Sequence, residues 1–355
     1  MSRSLVYNLI TDTESLSQIR KENLQLRDDF LDYLKSIDRA TKTIDAYRHD
    51  LNIFFVYNLK HNDNKKFTEI TKREFIRFQN HALNEWRWSP NRLNTVKSAL
   101  SSLSNFIENI LDEEQEYADY HSIIRKIASP TKSTVWEKTV LETEDVQNLL
   151  DYLVFSKKYM QAAIVALCAS SGRRKSEIPR LKTSYFTPEN VLFGSLYKTP
   201  EKIRTKGRGK QGKQINIYVI KKTFDPYLEL WMKERESQGI FSEWLFPSTK
   251  DPSKPLNTDR MDDWAKTYKV FLGKDFYWHS LRHYFTTELV RHNVPTTVIQ
   301  DIINWESSDM VKLYTDIAMD EHLEKYFDEN GIKTVDTATP ATLDTLQKPN
   351  LLIAM

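Results

Sequence analysis

The chain has 355 residues, enough for two compact domains that each bury a core. It is 40% hydrophobic and 28% charged, and no apolar run reaches the roughly 18 residues that a membrane-crossing helix needs. The net charge of +2 names no partner by itself, so the distribution of charge has to be read along the chain.

The opening MSRSLVYNLITDTESLSQ has no apolar stretch behind its one Arg, so no secretory signal is expected and the cytoplasm is the expected compartment. Residues 22–37 place Leu24, Leu26, Phe30, Leu31 and Leu34 on one helical face. A second helix follows Thr41 with Ile44, Tyr47, Leu51, Phe54 and Phe55. Thr71 and Glu74 have the spacing of a capping box and announce a third. Ser89-Pro90 starts a fourth, an N-cap followed by proline, carrying Leu93, Val96, Leu100, Leu103 and Phe106. Four helices with no strand-like alternation between them predict a small bundle. The segment Trp86-Arg87-Trp88 reads as core or helix-end packing, with a base or sugar contact as the alternative.

Periodicity is lost after residue 112, and 129–138, around Ser-Pro-Thr-Lys-Ser-Thr, reads as a linker. A helix from Thr143 and the apolar helix 159–170 follow; the latter holds Cys168, the single cysteine, which reads as a buried thiol. One cysteine excludes a disulfide framework and a multi-cysteine zinc site. Between 190 and 220 the pattern turns strand-like. Here Lys198 to Lys213 hold seven Lys or Arg against one Glu, with glycines at 207, 209 and 212, a hairpin pattern. Helical spacing returns at 224–236, 258–270 and from 279 onward, and Ile317, Met319, Leu323 and Phe327 space as an apolar helical stripe.

Four groupings in the second half carry chemistry-bearing residues. They are Ser171-Gly-Arg-Arg-Lys-Ser-Glu177, the basic hairpin around Lys206, His279-Ser-Leu-Arg282-His283, and Asn304-Trp305 leading to Tyr314. Together they resemble the tyrosine recombinases, the group that includes lambda-type integrases, the Xer proteins and Cre recombinase. The family pattern Gly-x-Arg-x-x-Glu falls on Gly172, Arg174 and Glu177, and His-x-x-Arg falls on His279 and Arg282. Its nucleophilic tyrosine lies ten residues after a usual glycine, here Asn304, which gives Tyr314. Trp305 matches the Trp of Cre-like members, and Ile-Arg-Thr-Lys206-Gly resembles the stretch with the catalytic lysine.

The chemistry suits these residue types. Transesterification at a phosphodiester develops negative charge on the nonbridging oxygens, and two guanidiniums, Arg174 and Arg282, can hold them through planar forks. A tyrosine hydroxyl with a pKa near 10 must lose its proton as it attacks, and the imidazole of His279 can move it. The resemblance implies Lys206 as donor to the departing 5′ oxygen, Trp305 as an indole N–H on the phosphate, and Glu177 and His283 as supporting residues. Lys206 competes with Lys202, Lys210 and Lys213; Arg204, Arg208, Lys210 and Lys213 are the expected DNA-phosphate contacts. Read alone, Arg173, Arg174 and Lys175 are an exposed basic helix start, and only the spacing to Glu177 selects Arg174.

The resemblance therefore implies a mainly α fold with a small antiparallel β-sheet, forming a C-shaped clamp on DNA. Residues 1–128 would be the SAM-like core-binding domain, 129–138 the linker, 139–330 the catalytic domain, and 331–355 a tail docking in cis or in trans. It implies a site-specific recombinase that works without metal or cofactor, as a homo-tetramer on two duplex sites, away from membranes and with the nucleoid. A type IB topoisomerase and a catalytically degenerate DNA-binding protein are the rival readings. Whether the task is integration, excision or dimer resolution stays open.

Overall fold

The computed structural model describes residues 3–131, 141–205, 212–305, 327–328 and 331–332. It divides into two compact units, whose main boundary falls between Val135 and Trp136. From residue 132 the expected linker lies outside the described residues. Among the described residues no helix is long and apolar enough to cross a membrane.

The first unit is helical throughout: α1 (Arg3–Ile10), α2 (Thr13–Gln18), α3 (Lys21–Ser36), α4 (Thr41–His61), α5 (Lys72–Asn84) and α6 (Pro90–Ile110). Local chemistry fixes the helix starts. Thr71 and Glu74 form the reciprocal capping box expected of them, and Ser89 accepts from the Arg92 N–H at 3.2 Å with Pro90 at the first position. The apolar stripes of α3 to α6 meet in one core, where Phe30, Leu34, Leu51, Phe54, Phe75, Phe78, Leu93 and Leu100 are buried. Each such side chain withdrawn from water contributes on the order of 2 kcal/mol. Buried Asn23 accepts from the Phe67 N–H and donates to the Lys65 carbonyl, both at 2.8 Å, which pins the α4–α5 connection to α3. The Trp pair packs as expected: Trp88 is buried, its ring centroid lies 5.0 Å from that of Trp86, and the Arg92 guanidinium lies over it.

The bundle is larger than expected, because α1 and α2 precede it. Both are short, and α2 is set by a side chain rather than by an apolar stripe: Asp12 accepts from the Ser15 N–H at 2.6 Å.

The second unit opens with α7 (Thr143–Phe155) and α8 (Tyr159–Ala169), and α8 is enclosed by α7, α9 and α11. Its residues Ala162 to Ala169 are all buried, Cys168 among them, and burial pushes that thiol's pKa up, which makes it unreactive. The strands come next: β1 (Val191–Leu192), β2 (Leu196–Lys198), β3 (Ile203–Thr205), β4 (Lys213–Ile215) and β5 (Tyr218–Ile220). They make two antiparallel sheets, β1-β2-β5 and β3-β4. The apolar run Ile-Asn-Ile-Tyr-Val-Ile is therefore two strands serving different sheets, not one. The break comes where Thr199 and Ile217 exchange hydrogen bonds through the Thr199 hydroxyl and N–H. Thr205 opposite Lys213 closes the expected basic hairpin.

The remaining helices are α9 (Lys221–Ser237), α10 (Thr258–Leu272), α11 (Trp278–Arg291) and α12 (Thr296–Ile303), and the short strands β6 (Phe327–Asp328) and β7 (Gly331–Ile332) pair after them. Phe327 therefore lies in β6 and not on the helical stripe that its spacing predicts; Ile317, Met319 and Leu323 are outside the described residues.

Candidate active site

The site is built where the exit from α8, the start of α11 and the end of α12 meet. After Ala169 the chain turns through Ser170 and Ser171 to Gly172, whose N–H donates to the Cys168 carbonyl at 2.9 Å. Gly172 has φ +61°, and a Cβ there would lie 2.7 Å from both Ile303 Cδ1 and Phe285 Cδ1. Glycine is needed for both reasons, conformation and close approach.

The two arginines after Gly172 have different fates. Arg173 is fully buried, so it is not part of an exposed basic helix start. Its Nε donates to the Ser171 carbonyl at 3.0 Å and its Nη2 to the Ile302 carbonyl at 2.5 Å. Arg174 keeps 26% of its side chain exposed. Its Nη1 donates to Glu177 Oε1 and to Thr205 Oγ1, each at 3.1 Å, and its other side-chain nitrogens have no partner among the described residues. Lys175 turns away to pair with Asp262.

Glu177 is fully buried. It does not share a helical face with Arg174, as the spacing alone implies; the two sit in a turn, with Glu177 accepting from the Arg174 backbone N–H at 3.1 Å as well. Burial pushes the Glu177 carboxyl up, but the Arg173 charge, the Thr205 hydroxyl and Arg174 outweigh it and hold the group below its ordinary value. It is ionised and braces Arg174.

α11 supplies the other half. His279 is its second residue and is exposed. Desolvation of the ring, then the charges of Arg282 and Arg174, push its pKa down to about 4. Buried His283 meets it edge-on with ring centroids 4.6 Å apart, and burial, then His279 and Arg282, push His283 down to about 3. Both are neutral imidazoles at pH 7. Arg282, one turn on from His279, is fully buried: Nη1 donates to the Gly172 carbonyl at 2.9 Å and Nη2 to the Ile303 carbonyl at 2.8 Å. Its guanidinium carbon lies 5.5 Å from the centre of the Trp305 ring.

Asn304 ends α12 in the left-handed region, with φ +61°, and the Trp305 N–H returns to the Gln300 carbonyl at 3.0 Å. That conformation explains why asparagine can replace the usual glycine: it is among the few other residues that adopt it readily.

Four of the six expected catalytic residues, Arg174, His279, Arg282 and Trp305, thus lie within one cluster with Glu177 and His283. Lys206 and Tyr314 lie outside the described residues, as do Arg208 and Lys210. Arg204 is exposed on β3, and Lys213 is partly exposed on β4. Sequence reasoning did not single out Thr205, which ties the β3–β4 hairpin to Arg174 and Glu177, nor Arg173. Thr205 was visible only as a β-branched residue beside Lys206.

Chemically, the cluster is cationic. Arg173 and Arg174 flank one ionised carboxylate, Glu177, and a third guanidinium, Arg282, lies beside the neutral histidines. One of the three, Arg174, is partly exposed and keeps side-chain donors with no partner among the described residues. Such a site complements a singly charged oxyanion, as a phosphodiester is.

Comparison with known proteins agrees with this chemistry. Residues 139–321 match the model of the phage integrase family, and residues 26–117 match that of the phage integrase N-terminal SAM-like domain. The SPbeta prophage-derived recombinase-like protein YomM of Bacillus subtilis (strain 168) is 31% identical over 251 residues, 69% of this chain and 72% of that protein. Tyrosine recombinase XerA of Pyrococcus horikoshii is 26% identical over 308 residues, 85% of this chain and 92% of that one. Among solved structures, XerH site-specific recombinase bound to palindromic difH substrate, in a post-cleavage complex, shares the fold. Its TM-score is 0.61 at 19% identity, over 90% of this chain and 89% of that one. A lambda integrase tetramer bound to a Holliday junction gives a TM-score of 0.59 at 16% identity, over 82% and 76%.

Proposed function

The chain belongs to the phage integrase family, the tyrosine recombinases, and we propose that it breaks and reseals duplex DNA at specific sites through a covalent link to Tyr314. As a family member it is a site-specific recombinase, an enzyme that cleaves and rejoins DNA strands.

The observation that carries the reading is the cationic cluster, in which braced, partly exposed Arg174 sits beside neutral His279. A phosphodiester enters against Arg174, whose remaining nitrogens hold the nonbridging oxygens, while buried Arg282 adds its charge from below. The Tyr314 hydroxyl attacks phosphorus, and its proton passes to His279, which is unprotonated at neutral pH and free to take it. The bond to the 5′ oxygen breaks, and Lys206 gives that oxygen a proton. The product is a 3′-phosphotyrosine and a free 5′ hydroxyl. Attack by a 5′ hydroxyl of a partner duplex reverses the step and frees Tyr314. The phosphoester bond is kept throughout, so no nucleotide is consumed. Trp305, beneath which Arg282 lies, packs the floor of the site.

Partner duplexes require more than one copy of the chain, and the working unit is a homo-tetramer holding two sites in the cytoplasm, with the nucleoid. The tetrameric lambda integrase on its junction supports that assembly by likeness of fold. Residues 1–128 contact the core site, and Arg204, Arg208, Lys210 and Lys213 contact phosphates. The test is a plasmid bearing two copies of a sequence selected by binding. Recombinant circles are expected. Relaxed topoisomers without recombinants would make the enzyme a topoisomerase, and intact plasmid a binding protein.

A further inference from the structure

We infer that Arg173 is a positioning residue, which fixes the end of α12, and with it the root of the segment carrying Trp305 and Tyr314, against the turn that carries Arg174. This rests on Tyr314 as nucleophile, and it departs from the sequence reading, in which Arg173 belongs to an exposed basic helix start.

The last carbonyls of a helix have no partner within it, and the negative end of its dipole favours a cation there. α12 has no basic residue in its last turn. Two guanidiniums from elsewhere fill the place. Arg173 Nη2 takes the Ile302 carbonyl and Arg282 Nη2 takes the Ile303 carbonyl, two consecutive residues at the helix end. At their other nitrogens the same side chains take the consecutive carbonyls of Ser171 and Gly172. The result is a double staple between two short backbone stretches far apart in sequence. Gly172 completes it, since its missing Cβ lets Ile303 lie directly on the turn. The staple is bordered on one side by Arg174, the next residue, and on the other by Asn304 and Trp305. It therefore sets the distance between the phosphate-holding guanidinium and the point from which the nucleophile's segment departs. Arg173 touches neither phosphate nor tyrosine. Glu177 supplies its counter-charge, and the third nitrogen, Nη1, has no partner among the described residues. The arginine is thus held at two points by geometry rather than by full saturation of its donors.

Lysine separates geometry from charge, because a single ammonium keeps the charge but cannot span both carbonyls. Arg173→Lys and Arg173→Met are compared with the unaltered chain in three assays on a nicked DNA substrate: binding, covalent capture, and cleavage by hydrogen peroxide in a Tyr314→Phe background. In the last, a peroxide oxygen replaces the tyrosine oxygen on phosphorus and the 5′ oxygen leaves protonated, so the phosphate-holding groups are used without the tyrosine. Expected for both variants are binding within about twofold and covalent capture lowered about 10²-fold, with peroxide cleavage within about threefold of Tyr314→Phe alone. Equal loss in the tyrosine and peroxide reactions would place Arg173 on the phosphate and overturn the inference. So would a lysine variant that captures normally, which leaves only a charge effect, or variants that no longer fold at about 20 °C, which makes the residue a stability element. Capture persisting in Tyr314→Phe would instead refute the nucleophile assignment.

Discussion

His279 and His283 refuse protons in the folded chain that they accept when it unfolds. Their folded values, about 4 and about 3, lie below the ordinary 6.5. From pH 6.5 down to about 4 the unfolded state therefore binds more protons, and stability falls as pH falls through that window. The melting temperature of the unaltered chain should drop more steeply there than that of a His279→Gln/His283→Gln variant. Parallel profiles would mean that the rings titrate normally. The two arginines proposed to bind the phosphate should also separate. Arg174 is partly exposed and braced, so Arg174→Ala should cut strand cleavage on the order of 10²-fold or more with little change in melting temperature. Buried Arg282 leaves the carbonyls of Gly172 and Ile303 unpaired when truncated, so Arg282→Ala should lose cleavage and about 2 kcal/mol or more of stability as well. Calorimetry beside single-turnover cleavage checks both. Residue spacing selects Arg174 over Arg173; in the structure Arg174 is partly exposed and Arg173 is buried. Spacing says nothing of which arginine is buried, because burial of Arg173 depends on the Ile302 carbonyl, far away in sequence.

At the scale of elements, most of what positions the site could be read from short-range chemistry. Thr71 and Ser89 cap where their spacing put them, and the apolar run of α8 is enclosed. Elements that depend on a single side chain or on a partner strand could not be read in this way. α2 begins on Asp12, and the split between β4 and β5 is decided by which strand each half meets. The β3–β4 hairpin joins the site through Thr205, whose hydroxyl receives the Arg174 Nη1 donor, so Lys206 comes directly after a residue anchored to the cluster. If Lys206 protonates the leaving oxygen, a 5′-bridging sulfur in the substrate should restore cleavage by Lys206→Ala selectively, because a thiolate leaves without help. Restoration of Lys210→Ala instead would move that role to Lys210.

At the scale of the molecule, two family matches cover separate stretches of the chain, and the structure divides into two units. The chain beyond Ile332 ends in Leu351-Leu-Ile-Ala-Met355, an apolar end on a polar tail. We propose that this tail docks on a neighbouring protomer and ties cleavage to assembly. Truncation after residue 333 keeps the β6–β7 pair. It should preserve single-site binding while tetramer formation fails; a truncated chain that assembles and recombines normally would refute trans docking.

All of this turns on one covalent bond. A nicked duplex that carries the bound sequence, and loses its 5′ fragment on cleavage, traps the enzyme on DNA with no added metal or nucleotide. Digestion and mass spectrometry of the trapped species then locate the modified residue. The account predicts a 3′-phosphoryl adduct on Tyr314, and none with Tyr314→Phe at nearly unchanged DNA affinity. An adduct on any other residue, or equal trapping by Tyr314→Phe, would contradict it.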